Sequence, residues 1–135
     1  MTGSATGVEP GQELPALEVE VTRDRISAYA EASGDHNPIH LDEAFARSVG
    51  LPGVIAHGML TMGLLATMVV RWTGDHRRLR RLGCRFSGMV VPGDRLRFEG
   101  RVTSVAGDSA EVEVWADNQD GRRVLSKGRA TVSLA

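Results

Sequence analysis

Between Gly58 and Trp72, apolar residues occupy nearly every helical face: Met59, Leu60, Met62, Leu64, Leu65, Ala66, Met68, Val69 and Val70. A helix that is apolar all round has to be buried. The stretch Met59–Val70 has about 12 residues, against roughly 20 for a membrane span, so protein must cover it. Thr73-Gly74-Asp75 stops it. The C-terminal half reads as strand: Phe86–Val91, Leu96–Val105, Ala110–Ala116 and Val124–Leu134, separated by Pro92-Gly93-Asp94, Gly107-Asp108 and Asp120-Gly121. Such turn residues between alternating segments signal hairpins. The elements ahead of the apolar helix are short. Leu17, Val19 and Val21 alternate with Glu18 and Glu20 as in a half-buried strand. Thr22 caps a helix over Arg23–Ser33, ended by Gly34, and Asp42 caps a second over Glu43–Val49, closed by Gly50. Helices grouped ahead of an antiparallel meander predict an α+β fold, one sheet curled around one buried central helix.

At 135 residues the chain makes one domain, expected over 12–135 behind a flexible N-terminus at 1–11 rich in Gly and small polar residues. Lys plus Arg number 16 and Asp plus Glu 17, a balance that argues against nucleic-acid binding or a polybasic membrane surface. Aromatics at 4% are too few for a base-stacking platform. The single cysteine, Cys84, excludes an internal disulfide and suits a reducing compartment. The N-terminus shows no basic stretch leading into an apolar one, so the expected location is the cytoplasm, without membrane insertion.

The chemistry-bearing segment is Tyr29-Ala-Glu-Ala-Ser-Gly-Asp-His-Asn-Pro-Ile-His-Leu-Asp42. Pro38 keeps Asp35–His40 out of a helix, so the Asp35 and His40 side chains can converge across a turned loop. A carboxylate beside an imidazole is a proton-transfer pair. The same residues also read as ordinary turn chemistry with a surface histidine. His57-Gly58-Met59 opens the apolar helix. There, free N–H groups can receive a carbonyl oxygen that gains negative charge, and Gly58 lets a ligand approach the backbone.

Ser33-Gly34-Asp35-x-Asn37-Pro38-Ile39-His40-x-Asp42, with Ala56-His57-Gly58-Met59 after it, resembles the hydratase-2 motif of the MaoC-like (R)-specific enoyl hydratases and dehydratases. The nearest likeness is to the catalytic subunit of heterodimeric (3R)-hydroxyacyl-ACP dehydratases of actinobacterial fatty-acid elongation. The resemblance implies a hot-dog fold, Asp35 and His40 as the catalytic pair, and the Gly58 N–H as the group that polarises a thioester carbonyl. It also implies that Asn37 shapes the loop beside the reacting water. His57 and Met59 are expected next to the carbonyl, with His57 alternatively hydrogen-bonded to loop backbone. The substrate would be an acyl thioester on acyl carrier protein or coenzyme A, with no cofactor and no metal. The four histidines show no zinc-ligand spacing.

Arg77, Arg78, Arg80, Arg81 and Arg85 form a local charge excess. It reads as a solvated face or as a docking surface for carrier or coenzyme phosphates. Two rival functions stay open. One is a hot-dog thioesterase, and the other a non-catalytic acyl-binding subunit. A lone curled sheet leaves an edge and an apolar wall exposed, so a homodimer or a heterodimer with a related hot-dog subunit is expected.

Overall fold

The computed structural model describes residues 7–135. Strand β1 (Leu17–Glu20) leads into helix α1 (Arg23–Ser33), a 3₁₀ turn (Pro38–His40), α2 (Glu43–Ser48) and the long α3 (Gly58–Thr73). After a second 3₁₀ turn (His76–Arg78) come β2 (Leu79–Phe86), β3 (Arg95–Ala106), β4 (Ser109–Asp117) and β5 (Arg123–Ser133). One antiparallel sheet forms in the order β1-β3-β4-β5-β2, which leaves β1 and β2 as edges. Period-2 alternation builds its inner face. Leu96, Phe98 and Val102 of β3, Val112, Val114 and Ala116 of β4, and Leu125, Ala130 and Val132 of β5 are all buried. They close on Leu60, Leu65, Met68, Val69 and Trp72 of α3. The α+β sheet-around-helix arrangement is the one the sequence predicts. From Gly11 onward the chain is tied to β3, with the Gly11 N–H donating to the Val102 carbonyl at 2.8 Å. Residues 1–6 of the expected flexible start lie outside the described residues.

Two expectations are corrected. The strand placed at Phe86–Val91 runs instead over Leu79–Phe86. Register shifts against β5, between Leu79 and Arg81 and between Gly83 and Arg85, break the two-residue period that marks a strand. Ser87–Val91 is irregular. The Ser87 and Gly88 N–H groups both reach the Val124 carbonyl, and the Val90 carbonyl accepts from the Ala56 N–H at 2.8 Å. The second correction concerns α3, which is not covered on every side. Leu60, Thr61, Leu65, Met68, Val69, Trp72 and Thr73 are buried, whereas Met59 is 57% exposed and Met62, Leu64, Ala66 and Val70 are half-buried. One sheet can wrap one side of a helix, and the opposite apolar side stays open.

β5 carries a bulge at Lys127-Gly128. Lys127 has φ 49°, and the pairing advances three residues on β5 for two on β4 between Val114↔Gly128 and Ala116↔Leu125. It bends the strand around α3.

The loop before α3 is braced by Glu43. Its Oε1 accepts from the Arg23 guanidinium of α1 and from the Val54 N–H at 3.3 Å. These bonds, Arg23 foremost, hold the Glu43 carboxyl below the ordinary glutamate range. A carboxyl lowered on folding stabilises the fold above its unfolded value and loses that contribution as pH falls through the folded one. Melting temperature traced into acid should therefore show a downward step that is smaller in Glu43→Gln. The same profile in both proteins would remove this brace.

Candidate active site

The loop 34–40 is set by its own side chains. Gly34 ends α1 at φ 77°, a left-handed conformation that favours glycine. Asp35 Oδ1 accepts from the Asn37 N–H at 3.2 Å, and Asn37 Oδ1 accepts from the Ile39 N–H at 3.1 Å. Asn37 thus caps the 3₁₀ turn that delivers His40 inward. The His40 side chain is buried and its Nδ1 lies 2.7 Å from the Ile55 carbonyl oxygen. Since a carbonyl only accepts, Nδ1 carries the proton. In the neutral ring Nε2 then presents a lone pair. Asp35 itself is exposed. His36, between them, turns back to α1. Its Nε2 lies 3.0 Å from Glu31, and that bond, first among the causes, raises its pKa.

His57 ends up behind the loop. It is 2% exposed, its Nε2 lies 3.0 Å from the Asp35 carbonyl oxygen, and its ring stacks on His40 with centroids 3.7 Å apart. Tyr29 meets it edge-on at 4.8 Å. Of the two positions expected for His57, the structure has the one bonded to loop backbone.

Asp35, His40 and His57 each bring one potential metal-ligand atom within 4.8 Å of one another. Their geometry suits proton transfer better than an ion. The imidazole planes are only 23° apart and stacked, so their in-plane lone pairs run side by side instead of converging. One nitrogen of each ring is also engaged with a backbone carbonyl.

Gly58 borders a cleft of about 380 Å³, whose lining includes neither Asp35 nor His40. Ile55, Ala56, Gly58 and Thr61 line one wall, and Phe86–Val90 with Arg122 the other. His57 does not border it. Gly58 and Met59 are the first two helical residues, whose N–H groups have no partner within a helix. A Cβ on Gly58 would lie 3.1 Å from the Phe86 ring, so glycine is what keeps the helix start open there. Met59, also expected beside the carbonyl, points outward and is exposed.

The arginine run does not gather at this site. α3 rises about 1.5 Å per residue, which puts Arg77 and Arg78 beyond its far end, more than about 20 Å along the axis from Gly58. β2 then runs back, and its last residue, Phe86, returns to Gly58. Arg77 is paired with Asp75 at 3.1 Å. Sequence reasoning misses the arginine that does border the cleft, Arg122, along with Phe86, Met89 and Val90. Nothing in the local pattern around Arg122 signals it, because its place depends on how the β4–β5 turn folds over the start of α3.

Known proteins resemble this chain in sequence and in fold. A model described as MaoC like domain matches residues 5–123. The chain is 30% identical over 128 residues to the peroxisomal hydratase-dehydrogenase-epimerase of Saccharomyces cerevisiae, a match covering 93% of this chain and 13% of that protein. It is 41% identical over 85 residues to the fatty acid synthase beta subunit pigK of Monascus ruber, covering 62% of this chain and 4% of that one. The chain thus spans only a small part of these curated relatives. Among solved structures, a MaoC-like dehydratase superposes with a TM-score of 0.93 at 36% identity, covering 99% of this chain and 43% of the other. The (R)-hydratase from A. caviae involved in PHA biosynthesis superposes at 0.88 with 28% identity, covering 97% of this chain and 100% of that one. The fold and the matched residues agree: this chain belongs to the MaoC-like dehydratase domain family.

Proposed function

We propose that the chain is a hydro-lyase that interconverts (3R)-hydroxyacyl and trans-2-enoyl thioesters. The observation that carries this reading is the His40 tautomer. Its Nδ1–H is given to the Ile55 carbonyl, which leaves Nε2 as a proton acceptor, and one nitrogen of the ring lies within 4.8 Å of an Asp35 carboxylate oxygen. In hydration, Asp35 and His40 hold a water and take one of its protons as its oxygen bonds to C3. A proton then goes to C2. In dehydration the pair removes the C2 proton and protonates the departing hydroxyl. Negative charge gathers on the thioester oxygen in either direction, and the Gly58 N–H at the start of α3 is the donor to receive it. The reading requires no cofactor. Acyl carrier protein or coenzyme A would carry the substrate, with Arg122 on the cleft wall suited to its phosphate. The reaction belongs to soluble acyl-thioester metabolism in the cytoplasm. Among the described residues no helix is long and apolar enough to cross a membrane.

Crotonyl-CoA tests the reading directly. Loss of the enoyl-thioester absorbance with formation of the (3R) alcohol supports it. Thiol release would make the protein a thioesterase, and no turnover with or without a partner chain would leave an acyl-binding subunit.

Gly58→Val should cut turnover roughly tenfold or more while melting temperature moves little. The added Cβ presses on Phe86, which is half exposed and can rotate into the cleft at small cost. A fully active variant would take Gly58 out of the mechanism.

The working unit is proposed to be a dimer, with itself or with a related hot-dog subunit. The open side of α3 and the β2 edge support this, as do the exposed Leu41, Phe45, Val49, Phe86 and Met89. A stable pair should bury well over about 1,000 Å². Light scattering at micromolar concentration should report twice 14.5 kDa, or an unstable chain rescued by co-expression. A stable, active monomer would contradict it.

A further inference from the structure

We propose that His57 is a positioning residue that fixes Asp35 against His40 without itself touching substrate. The inference rests on the proton-transfer role proposed for that pair. His57 occupies the N-cap of α3, yet its side chain makes no capping bond. That is unusual use of a position where Ser, Asp or Asn would bond the N–H of the second or third helical residue. The ring instead turns inward and does two other things. Nε2–H donates to the Asp35 carbonyl at 3.0 Å, and the ring face supports His40 at 3.7 Å. One side chain thus meets the backbone of the acid and the ring of the base.

The orphan atom fits this role. Among the described residues, His57 Nδ1 is buried and has no hydrogen-bond partner. A carbonyl fixes the proton on Nε2, so Nδ1 is a bare lone pair in the neutral ring. Leaving it unsatisfied costs stability, as for any buried polar group without a partner. A residue chosen for packing alone would avoid that cost. Ring size and the Nε2 donor are what only histidine supplies here together.

Two near-isosteric variants separate positioning from packing. His57→Gln sets an amide nitrogen close to where Nε2 lies, and His57→Asn can cap α3 but falls short of the Asp35 carbonyl. Gln should keep kcat within about tenfold. Asn should lose about a hundredfold in kcat with KM little changed, since a displacement of about 1 Å at the reacting groups costs that much. Equal losses in the two, or a loss confined to KM, would overturn the proposal. The ring nitrogens give a readout independent of activity. Nitrogen NMR of the wild type should show opposite tautomers, Nδ1–H for His40 and Nε2–H for His57. The same tautomer in both would also overturn it. If Asp35→Asn and His40→Ala stay active, the proton-transfer reading fails first, a result distinct from either of these.

Discussion

Asp35→Asn should lose about 10²–10⁴-fold in turnover, the range that a positioned acid or base contributes, with its melting temperature almost unchanged. Asp35 is exposed, and its side-chain bond to the Asn37 N–H can be made by an asparagine oxygen. His40→Ala should lose a similar factor and also stability. On sequence alone both residues sit on a polar loop, where replacement ought to cost the fold little. The structure changes that for His40, which is 8% exposed and bonded to the Ile55 carbonyl. Alanine would strand that carbonyl, at about 1–3 kcal/mol. The signature is therefore unequal: equal losses of rate, unequal losses of melting temperature. Near-wild-type turnover in either variant would sink the assignment of the pair.

The largest effect on stability should come from Gly128→Ala. A Cβ there would fall 2.2 Å from the Val114 carbonyl oxygen and 2.8 Å from Val114 Cγ2. The nearest atom is sheet backbone, which cannot swing aside as a side-chain tip can. The bulge would have to open, at about 3 kcal/mol, the upper end of overpacking penalties. At a domain of this size that is a fall of roughly 10 °C in Tm. The same substitution at Gly63 should act in the opposite sense. It lies within α3, a Cβ would meet nothing within 4 Å, and alanine in a helix is favoured by about 0.5–1 kcal/mol. Thermal melts of the two single variants decide it. A tolerated Gly128→Ala would mean the bulge is soft and contributes little to the wrap of the sheet.

Contiguous pattern is what an amino-acid sequence makes legible. Helix caps at Thr22 and Asp42, the alternation in β3 and β4, and the loop 33–42 with its echo at 56–59 are all local signals. The misplaced β2 shows the limit. Its half-buried Leu79, Leu82 and Cys84 are spaced three and then two apart, because a bulge absorbs a residue, and periodicity cannot see a bulge. Arg122 is hidden for another reason, since it reaches the cleft through long-range folding. His57 can be placed at the helix start from sequence, but whether its ring caps the helix or braces the loop is a choice of rotamer and burial. Apolar residues on all sides of α3 announce that it must be covered, without saying by which chain.

That last ambiguity has an evolutionary side. The proposed acid and base and the residues around them lie between Tyr29 and Gly58 of one chain, while part of the apolar surface of α3 is left open. Under the proposed pairing, catalysis and enclosure are separable traits. After gene duplication one copy could shed its acid and base, keep its fold, and drift in shape, while its sibling retained the chemistry. Acyl-chain preference would then evolve in a copy that no longer risks the reaction.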